Sequence, residues 1–334
     1  MSVADHPGRE PQSAGAVLMV RPARFGCNAQ TAVSNAFQAK PAALAGDDLQ
    51  DAALWEFHGL AERLERAGVE VLIASDSEQP PKPDAIFPNN WVSFHHDGTV
   101  TLYPMLAPNR RWERRDEVLE QVVRQGGFRV SRTVDLTHRE LQDKYLEGTG
   151  SVVLDRAHGI AYASSSPRTD LDVLGEFAQQ LDYDLMTFDA VDAGGAAIYH
   201  TNVLMAIGTG FAVVCAASIG NEAHRAAVLS RLRSTGHAIV EVSLAQMAQF
   251  AANVLELATP NGKLIALSTT ALRGLDSGQR RALESCATLI PAEIPTIERI
   301  GGGGVRCMLA EIHLPKRAAP SAPRSRPSDI DRLV

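Results

Sequence analysis

The chain of 334 residues has 45% hydrophobic and 21% charged residues, a formal net charge of -7 and a pI near 5.8. This composition is typical of a globular protein that is long enough for one large core or two smaller ones. The acidic balance argues against nucleic acid as the main partner, because phosphate binding requires a basic face. A small molecule is therefore the expected partner, and the sequence leaves a homo-oligomer open.

Cysteine usage and hydropathy indicate a cytoplasmic protein. The four cysteines are widely spaced and form no Cys-x-x-Cys pair, so neither a disulfide framework nor a zinc site is predicted. No metal or other cofactor is expected, since the scattered His95, His96 and His138 do not form a ligand set. The N-terminus lacks the apolar core of a signal peptide, and no apolar stretch approaches the roughly 20 residues that a membrane helix needs.

Alternating apolar patterns predict strands and helices in turn along the chain. Strands are expected at 16–20, 70–74, 99–103, 151–154, 159–163, 203–207, 211–215, 238–242, 264–267 and 305–312. Helices are expected at 54–67, 115–124, 170–181, 222–234, 244–257 and 277–286. Residues 1–15 are predicted to be a disordered segment, 16–315 a single domain, and 316–334 a disordered tail rich in proline and like charges.

This alternation recurs about five times, which is compatible with a doubly wound sheet or with a radial repeat of small β/α blades. The radial repeat is favoured for two reasons. No Gly-x-Gly-x-x-Gly turn joins an early strand to a helix, as a dinucleotide fold would require. In addition, the most unusual polar segments lie at the ends of strands from different repeats, as expected when blades converge on a central site.

Four of these polar segments contain residue types suited to chemistry at an electrophilic carbon. They are 83–91 with Asp84 and Asn90, 146–151 with Glu147, 199–204 with His200 and Asn202, and the run of four glycines that leads to Cys307. Together they supply a thiol, an imidazole and a carboxylate. Taken singly, each has a bland alternative: a surface turn, an exposed strand-edge glutamate, a structural histidine and a buried cysteine.

The order and form of the four segments resemble the guanidino-group-modifying superfamily, also called the pentein or amidinotransferase fold. Its members carry a Phe-x-x-Asp segment, a Glu-Gly-Gly-Asp segment, a His-x-Asp segment and a glycine-rich segment with the nucleophilic cysteine. This chain matches with 87–90, 147–150, 200–202 and 301–307, so the resemblance spans roughly residues 16 to 315. It implies a five-bladed α/β propeller with pseudo-fivefold symmetry and one site near the axis.

Two departures from the family pattern bear on the substrate. Asn90 and Asn202 stand where relatives that bind guanidinium carry aspartate. A guanidinium cation favours carboxylates, whereas a neutral ureido group is complementary to an amide that both donates and accepts. We therefore expect citrulline rather than arginine. The pattern also resembles the citrulline utilisation hydrolase (CtlX) group, whose C–N hydrolysis in arginine metabolism yields ornithine, ammonia and carbon dioxide.

The resemblance implies a role for each site residue. Cys307 is the expected nucleophile, forming an S-carbamoyl cysteine, while His200 transfers protons and Glu147 positions His200 and holds the ureido nitrogen. A forked arginine should bind the α-carboxylate of the substrate, and Arg168 is the first choice. Arg110 and Arg111 are the second choice.

Asp84 is assigned to the substrate, at its α-ammonium or its ureido nitrogens. Two other functions stay open at this point. One is an arginine deiminase or dimethylarginine hydrolase of the same superfamily, and the other is a non-catalytic propeller that binds a macromolecule.

Overall fold

The structure is a computed structural model that describes residues 10–35, 37–38 and 47–317, and it shows an α/β fold. Its strands are mostly short, as expected when each one spans a small sheet. They are β1 (Ala16–Arg21), β2 (Glu70–Ser75), β3 (Val92–Phe94), β4 (Thr99–Leu102), β5 (Arg132–Asp135), β6 (Val153–Asp155), β7 (Ile160–Ser164), β8 (Asp184–Phe188), β9 (Met205–Ile207), β10 (Phe211–Val214), β11 (Ala238–Glu241), β12 (Leu255–Thr259), β13 (Gly262–Ser268), β14 (Thr288–Ala292) and β15 (Ala310–Ile312).

The α-helices range in length from single turns of four residues to one helix of 20 residues. They are α1 (Ala29–Ala32), α2 (Asp47–Arg66), α3 (Asp116–Gln125), α4 (Gly148–Ser151), α5 (Leu171–Leu181), α6 (Thr201–Leu204), α7 (Glu222–Ser234), α8 (Leu244–Met247), α9 (Thr269–Gly274) and α10 (Ser277–Glu284).

One three-stranded pattern recurs five times in the described part of the chain. In each unit the first strand pairs antiparallel with the second, and the second pairs parallel with the third after a helical crossover. The units are β15-β1-β2, β3-β4-β5, β6-β7-β8, β9-β10-β11 and β12-β13-β14. The C-terminal β15 therefore completes the unit that the N-terminal β1 begins, and the first two units share one six-stranded sheet.

Helix α5 shows how the sequence builds one of these units. The Asp170 side chain accepts hydrogen bonds from the backbone N–H groups of Asp172 and Val173, which satisfies donors that a helix start leaves unpaired. Val173, Leu174 and Phe177 recur at helical spacing and are buried against strands of the same unit. The third strand, β8, follows at once and pairs parallel with β7.

Five short connections place irregular backbone at the starts of the five units. Single helical turns or 3-10 turns precede four of the first strands: Pro88–Asn90 before β3, α4 before β6, α6 before β9, and Val305–Met308 before β15. The segment 249–254 occupies the same position before β12. The first four turns pack against one another, in the pairs Pro88–Asn90 with α4, α4 with α6, and Pro88–Asn90 with Val305–Met308.

Most predicted elements are confirmed to within a few residues, but two predictions were wrong. The helix expected at 244–257 ends at Met247, after which Phe250 adopts a φ of 60° and Leu255–Thr259 forms β12. Residues 250–255 are buried on every side, so their apolar pattern carries no helical face. The strand expected at 305–312 is divided, because Val305–Met308 is a 3-10 turn and only Ala310–Ile312 pairs with other strands.

The expected boundaries at both ends also differ from the structure. Residues 10–15, assigned by sequence to a disordered segment, pack against the sheets: Gln12 is buried and donates to the carbonyls of Leu154 and Ile207, each at 3.0 Å. At the other end, Lys316 lies 3.7 Å from the centre of the Phe128 ring. The remaining residues of the two expected tails, 1–9 and 318–334, lie outside the described residues.

Candidate active site

Cys307 lies in the 3-10 turn Val305–Met308 and is 3% exposed. Two amide side chains converge on its sulfur. The Asn253 Nδ2 donates to Sγ at 3.4 Å, and the Asn202 Nδ2 donates at 3.5 Å. The Asn253 Oδ1 accepts from the backbone N–H of Arg306 at 3.1 Å, so this side chain also fixes the turn that carries the cysteine. A thiolate at this position would accept two hydrogen bonds.

The glycines before Cys307 are required by close approach of other residues. A Cβ on Gly301 or Gly303 would lie 2.7 or 2.9 Å from ring atoms of Phe87. A Cβ on Gly304 would lie 2.5 Å from the Asn253 Oδ1. The glycine run therefore lets an aromatic ring and the Asn253 amide pack directly against the backbone that presents the thiol.

His200 and Glu147 form a buried hydrogen-bonded pair. The His200 Nε2 is 2.8 Å from the Glu147 Oε2, and the two side chains are 3% and 0% exposed. His200 directly precedes α6 and Glu147 directly precedes α4, so each stands at the start of a single helical turn. Asn202 lies inside α6. All three side chains still reach the region of Cys307, because the turns of neighbouring units pack together.

Electrostatics favour a neutral thiol and a neutral imidazole in this protein without substrate. Burial raises the pKa of Cys307 above its ordinary value near 9, although the Asn253 amide, Arg306 and the Asn202 amide oppose this shift. Burial lowers the pKa of His200 to about 4, against the opposing effect of Glu147. For Glu147, burial would raise the pKa, but the Arg168 guanidinium and His200 overcome it and hold the pKa well below its usual range.

Two buried arginines surround Glu147. Arg168 places Nη1 3.3 Å from the Glu147 Oε2, and its guanidinium lies 4.9 Å from the centre of the Tyr199 ring. Arg110 lies 3.9 Å from the same oxygen and is paired on its other side with Glu113 at 2.9 Å. The carboxylate that orients His200 is therefore already compensated by cations of the protein.

Asp84 faces the site and has one oxygen without a partner. Its Oδ2 accepts from the Asn28 Nδ2 at 2.8 Å and from the Thr31 hydroxyl at 3.0 Å. Its Oδ1 is buried and makes no hydrogen bond within the described residues. The nearest cation is Arg110, whose Nε lies 3.8 Å from Oδ2. The unpartnered oxygen is available to a donor that enters the site.

The two asparagines that depart from the family pattern have different surroundings. The Asn90 Oδ1 accepts from the Arg110 Nη1 at 2.7 Å, and its Nδ2 donates to the Asn89 Oδ1 at 3.1 Å. The Asn202 Nδ2 points to Cys307, whereas its Oδ1 is buried without a hydrogen-bond partner among the described residues. Asn90 can therefore offer one further N–H group, and Asn202 can offer an acceptor oxygen.

One small cavity lies among these groups, although Glu147, Asn202 and Asn253 are not among its lining residues. Its volume is about 20 Å³, which is room for about one water molecule. The residues that line it are Asn35, Asp84, Phe87, Asn90, Arg110, Arg168, Tyr199, His200, the glycines 301–303 and Cys307. An amino-acid substrate is much larger, so its entry requires side chains of this lining to move apart.

The structure distinguishes between Arg110 and Arg111, the two arginines that were the second choice for binding the α-carboxylate. Arg110 lines the cavity. Arg111 points elsewhere: its Nε donates to the carbonyl of Met105 at 3.0 Å and lies 3.4 Å from Glu140. Arg111 is thus not part of the cavity, because the 3-10 turn Pro108–Glu113 directs neighbouring side chains in different directions.

Sequence patterns missed Asn253 altogether. It falls within the stretch 244–257, which the apolar spacing assigned to a helix. The fivefold recurrence was the available signal. Asn253 stands two residues before the first strand of its unit, as Asn90 does before β3.

A comparison with protein-family models assigns the chain to a family. Residues 21–314 match the model described as "N,N dimethylarginine dimethylhydrolase, eukaryotic", which covers most of the chain. The chain belongs to this dimethylarginine dimethylhydrolase family. This confirms membership of the guanidino-group-modifying superfamily, as the motifs predicted, and the chain is homologous to C–N hydrolases of that superfamily. No curated protein matches the sequence.

Solved structures resemble this dimethylarginine dimethylhydrolase family member in fold. ArgZ, an arginine dihydrolase from the ornithine-ammonia cycle in Cyanobacteria, matches with a TM-score of 0.70 and 16% identity over 91% of this chain and 41% of that chain. AgrE in its unliganded form matches with a TM-score of 0.70 and 16% identity, over 90% and 40%. The chain thus spans about two fifths of the length of these two proteins.

A third solved structure matches this chain over its full length. The dimethylarginine dimethylhydrolase from Pseudomonas aeruginosa, a cysteine-to-serine mutant in complex with citrulline, matches with a TM-score of 0.61 and 14% identity. The match covers 90% of this chain and 100% of that chain. These likenesses confirm the α/β fold of the pentein type. In the described part of the chain, no helix combines the length and the apolar character needed to cross a membrane.

Proposed function

We propose that this protein hydrolyses the ureido group of citrulline, giving ornithine, ammonia and carbon dioxide through an S-carbamoyl cysteine at Cys307. The proposal includes the roles of the site residues and the membership of the citrulline utilisation hydrolase group. It also includes the arrangement of the five units as a five-bladed propeller around the cavity. The shared three-stranded pattern and the packing of their leading turns support this arrangement.

Asn202 is the observation that carries the choice of substrate. Its Nδ2 lies 3.5 Å from the attacking sulfur, and its buried Oδ1 has no partner among the described residues. A ureido N–H would satisfy that acceptor next to the thiol, whereas a carboxylate there would place an extra charge against a neutral group. Arg168 and Arg110 already lie beside Glu147, so a guanidinium substrate would be the third cation around one carboxylate.

The first half of the reaction forms the covalent intermediate. The thiol proton moves to His200, and the thiolate attacks the ureido carbon to form a C–S bond and a tetrahedral intermediate. Before the attack, the Asn202 and Asn253 amides donate to the sulfur and stabilise the negative charge of the thiolate. The attack transfers that charge to the former ureido oxygen. The C–N bond to the δ-nitrogen then breaks, and His200 gives its proton to that nitrogen. Ornithine leaves, and the carbamoyl group stays on sulfur.

The second half regenerates the thiol. Neutral His200 removes a proton from one water molecule as the water oxygen attacks the carbamoyl carbon. The C–S bond breaks, the sulfur recovers a proton from His200, and carbamic acid is released. Carbamate decays to ammonia and carbon dioxide. Since the pKa of His200 lies near 4, the imidazole is neutral and able to accept this proton at physiological pH.

Charged groups at the edge of the cavity suit the amino-acid part of citrulline. Arg168 is buried, and its fork is the type of group that binds a carboxylate. The unpartnered Asp84 Oδ1 would accept from the α-ammonium. Both assignments agree with a zwitterionic substrate, for which one cation and one anion are needed.

One assay tests the proposal directly. Purified protein is incubated separately with citrulline, arginine and methylated arginine, and ornithine, citrulline and ammonia are measured. Citrulline should give equal amounts of ornithine and ammonia, and rapid acid quenching should trap a carbamoyl adduct on the Cys307 peptide. Turnover of arginine or methylated arginine without turnover of citrulline would overturn the choice of substrate.

Matched cysteine variants separate the nucleophile from general thiol effects. Cys307→Ser should lose turnover by about 10⁴-fold or more, because a serine hydroxyl ionises far less readily than a thiol and supplies no comparably nucleophilic anion here. Cys286→Ser, at the end of helix α10 and only partly buried, should retain the activity of the parent. Equal activity of Cys307→Ser and the parent would exclude the covalent route.

A further inference from the structure

A second group of side chains, outside the cavity, brings two imidazoles to one carboxylate. Asp155 ends strand β6, His158 lies in the turn to β7, and His237 lies between α7 and β11. One potential ligand atom of each lies within 4.8 Å of the other two. The His158 Nδ1 is 2.7 Å from the Asp155 Oδ1, and the His237 Nδ1 is 3.9 Å from the Asp155 Oδ2.

Only one of the two oxygens of the Asp155 carboxylate accepts hydrogen bonds from the described residues. Asp155 is 0% exposed, and its Oδ1 also accepts from the backbone N–H of His158 at 3.2 Å. Its Oδ2 is buried and makes no hydrogen bond within residues 10–35, 37–38 and 47–317. A buried carboxylate oxygen without a donor is costly in free energy, and a bound cation compensates that cost. Nothing in the proposed reaction uses these residues.

We propose that Asp155, His158 and His237 form a binding site for one divalent ion of the zinc class. Imidazole nitrogens favour such ions over calcium or magnesium, which prefer oxygen ligands. Zinc bonds of about 2.0–2.1 Å in tetrahedral geometry separate ligand atoms by roughly 3.3 Å. The observed separations, 2.7 Å to Oδ1 and 3.9 Å to Oδ2 of Asp155, lie on either side of that value, so the side chains must rotate to bring both nitrogens and one carboxylate oxygen to a single ion.

The position of the site assigns the ion a structural role. Asp155 lies at the end of β6 opposite to Glu147, which precedes that strand on the side of Cys307. His237 comes from the neighbouring unit, β9-β10-β11. An ion held by both units would fix them to one another, and the partly exposed His158 leaves a route for its entry. The Thr235 hydroxyl lies 2.9 Å from the His237 Nδ1, so this hydrogen bond has to be given up when that nitrogen binds the ion.

Zinc binding by the full chain tests this site. The parent for the measurement is Cys307→Ser, so that the catalytic thiol contributes no zinc affinity. After treatment with a chelator, equilibrium dialysis against Zn²⁺ alone should show one bound ion, and thermal unfolding should shift to higher temperature. His158→Gln in the same background should bind Zn²⁺ at least about tenfold more weakly and lose the shift. His158 suits this purpose because its partly exposed ring can be replaced without removing the Asp155 carboxylate.

His138→Gln is the matched control. His138 is exposed, and its Nε2 lies 3.8 Å from Glu176. Among the residues that the structure describes, no third potential ligand joins this histidine–carboxylate pair. The His138→Gln variant of the Cys307→Ser parent should bind Zn²⁺ as tightly as that parent does. A folded parent that binds no Zn²⁺, or equal binding by His158→Gln, would overturn the site. A second measurement needs no site variants and records the proton NMR spectrum of the same Cys307→Ser parent with Co²⁺. Shifted imidazole N–H resonances from two histidines are expected. Resonances from only one histidine, or from none, would refute the proposed site.

Discussion

The Asn253 Nδ2 lies 3.4 Å from the Cys307 Sγ, and the carbonyl oxygen of the same side chain holds the backbone N–H of Arg306 at 3.1 Å. A third bond runs from the Asn253 Nδ2 to the carbonyl of Asn202 at 3.0 Å. One amide thus joins the cysteine turn to helix α6. Because it donates to sulfur, it stabilises the thiolate more than the thiol, and it lowers a thiol pKa that burial raises.

Replacing Asn253 should therefore weaken thiolate formation. Asn253→Ala removes the donor, and we expect kcat for citrulline to fall by about 10²-fold while the pH dependence of iodoacetamide alkylation moves to higher pH. Asn261→Ala, in the exposed turn between β12 and β13, is the control and should match the parent in both measurements. A lower kcat with an unchanged alkylation profile would show that Asn253 acts only by holding the fold.

Asn90→Asp tests the amide argument at the other departure from the family pattern. The Asn90 Nδ2 donates to the Asn89 Oδ1 at 3.1 Å, and an aspartate would replace that bond with oxygen facing oxygen. It would also remove the N–H group that Asn90 can offer to a ureido oxygen. We expect kcat/KM for citrulline to fall by at least about tenfold. Unchanged kcat/KM would remove Asn90 from substrate recognition.

The parts of the site that sequence predicted are those with a local motif. Glu147, His200 and Cys307 each lie in a segment with recognisable neighbours, and the structure brings the three segments to one region. Asn253 has no such neighbours, because its segment is buried on all sides and shows an apolar pattern that simulates a helix. Its role depends on the position of its segment in the repeat.

Strand β12 was missed for the same physical reason, and β5 and β8 were missed because most of their residues are exposed, so that neither has a regular buried apolar face. The choice between Arg110 and Arg111 was also beyond sequence reasoning. Adjacent residues of a 3-10 turn point in different directions, and only contacts with Asn90 and Glu113 identify the one that turns inward.

Arg168 and Glu147 should show strong energetic coupling. Their ions lie 3.3 Å apart and are almost fully buried. Arg168→Ala leaves the Glu147 carboxylate with less compensation, so we expect a loss of about 3 kcal/mol in the free energy of unfolding. Arg168→Ala combined with Glu147→Gln removes the charge as well and should recover much of that loss. Urea denaturation of the parent, the two single variants and the double variant measures the coupling, and strictly additive effects would contradict it.

Stability should fall in mild acid because of His200. Its pKa is lowered to about 4 in the folded protein, from an ordinary value of 6.5, so between these values the unfolded chain binds a proton that the folded chain does not. The contribution of neutral His200 to the free energy of unfolding is complete above pH 6.5. It is lost as the pH falls towards 4, and the loss amounts to up to about 3 kcal/mol. Glu147, with a lowered pKa, adds a loss of the same sign at lower pH.

His200→Gln isolates this effect, because glutamine does not titrate. The difference in unfolding free energy between pH 7 and pH 4.5 should be smaller in His200→Gln than in the parent. Titratable groups that do not interact with His200 contribute equally to both proteins and cancel in the comparison. An identical pH dependence of the two proteins would contradict the lowered pKa of His200.

Gly150 should be essential for activity although it has no side chain to contact the substrate. A Cβ at this position would lie 2.5 Å from the Asn90 Nδ2 and 2.8 Å from the His200 Nδ1, both far inside van der Waals contact. Gly150→Ala must therefore displace the imidazole from its bond with Glu147, and we expect kcat to fall by about 10²-fold or more. Gly175→Ala is the control, since a Cβ there meets nothing within 4 Å and the residue lies inside helix α5. That control should keep full activity and gain about 0.5–1 kcal/mol in the free energy of unfolding. Steady-state kinetics and urea denaturation of both variants make the comparison, and normal kcat in Gly150→Ala would show that His200 does not need this position to act.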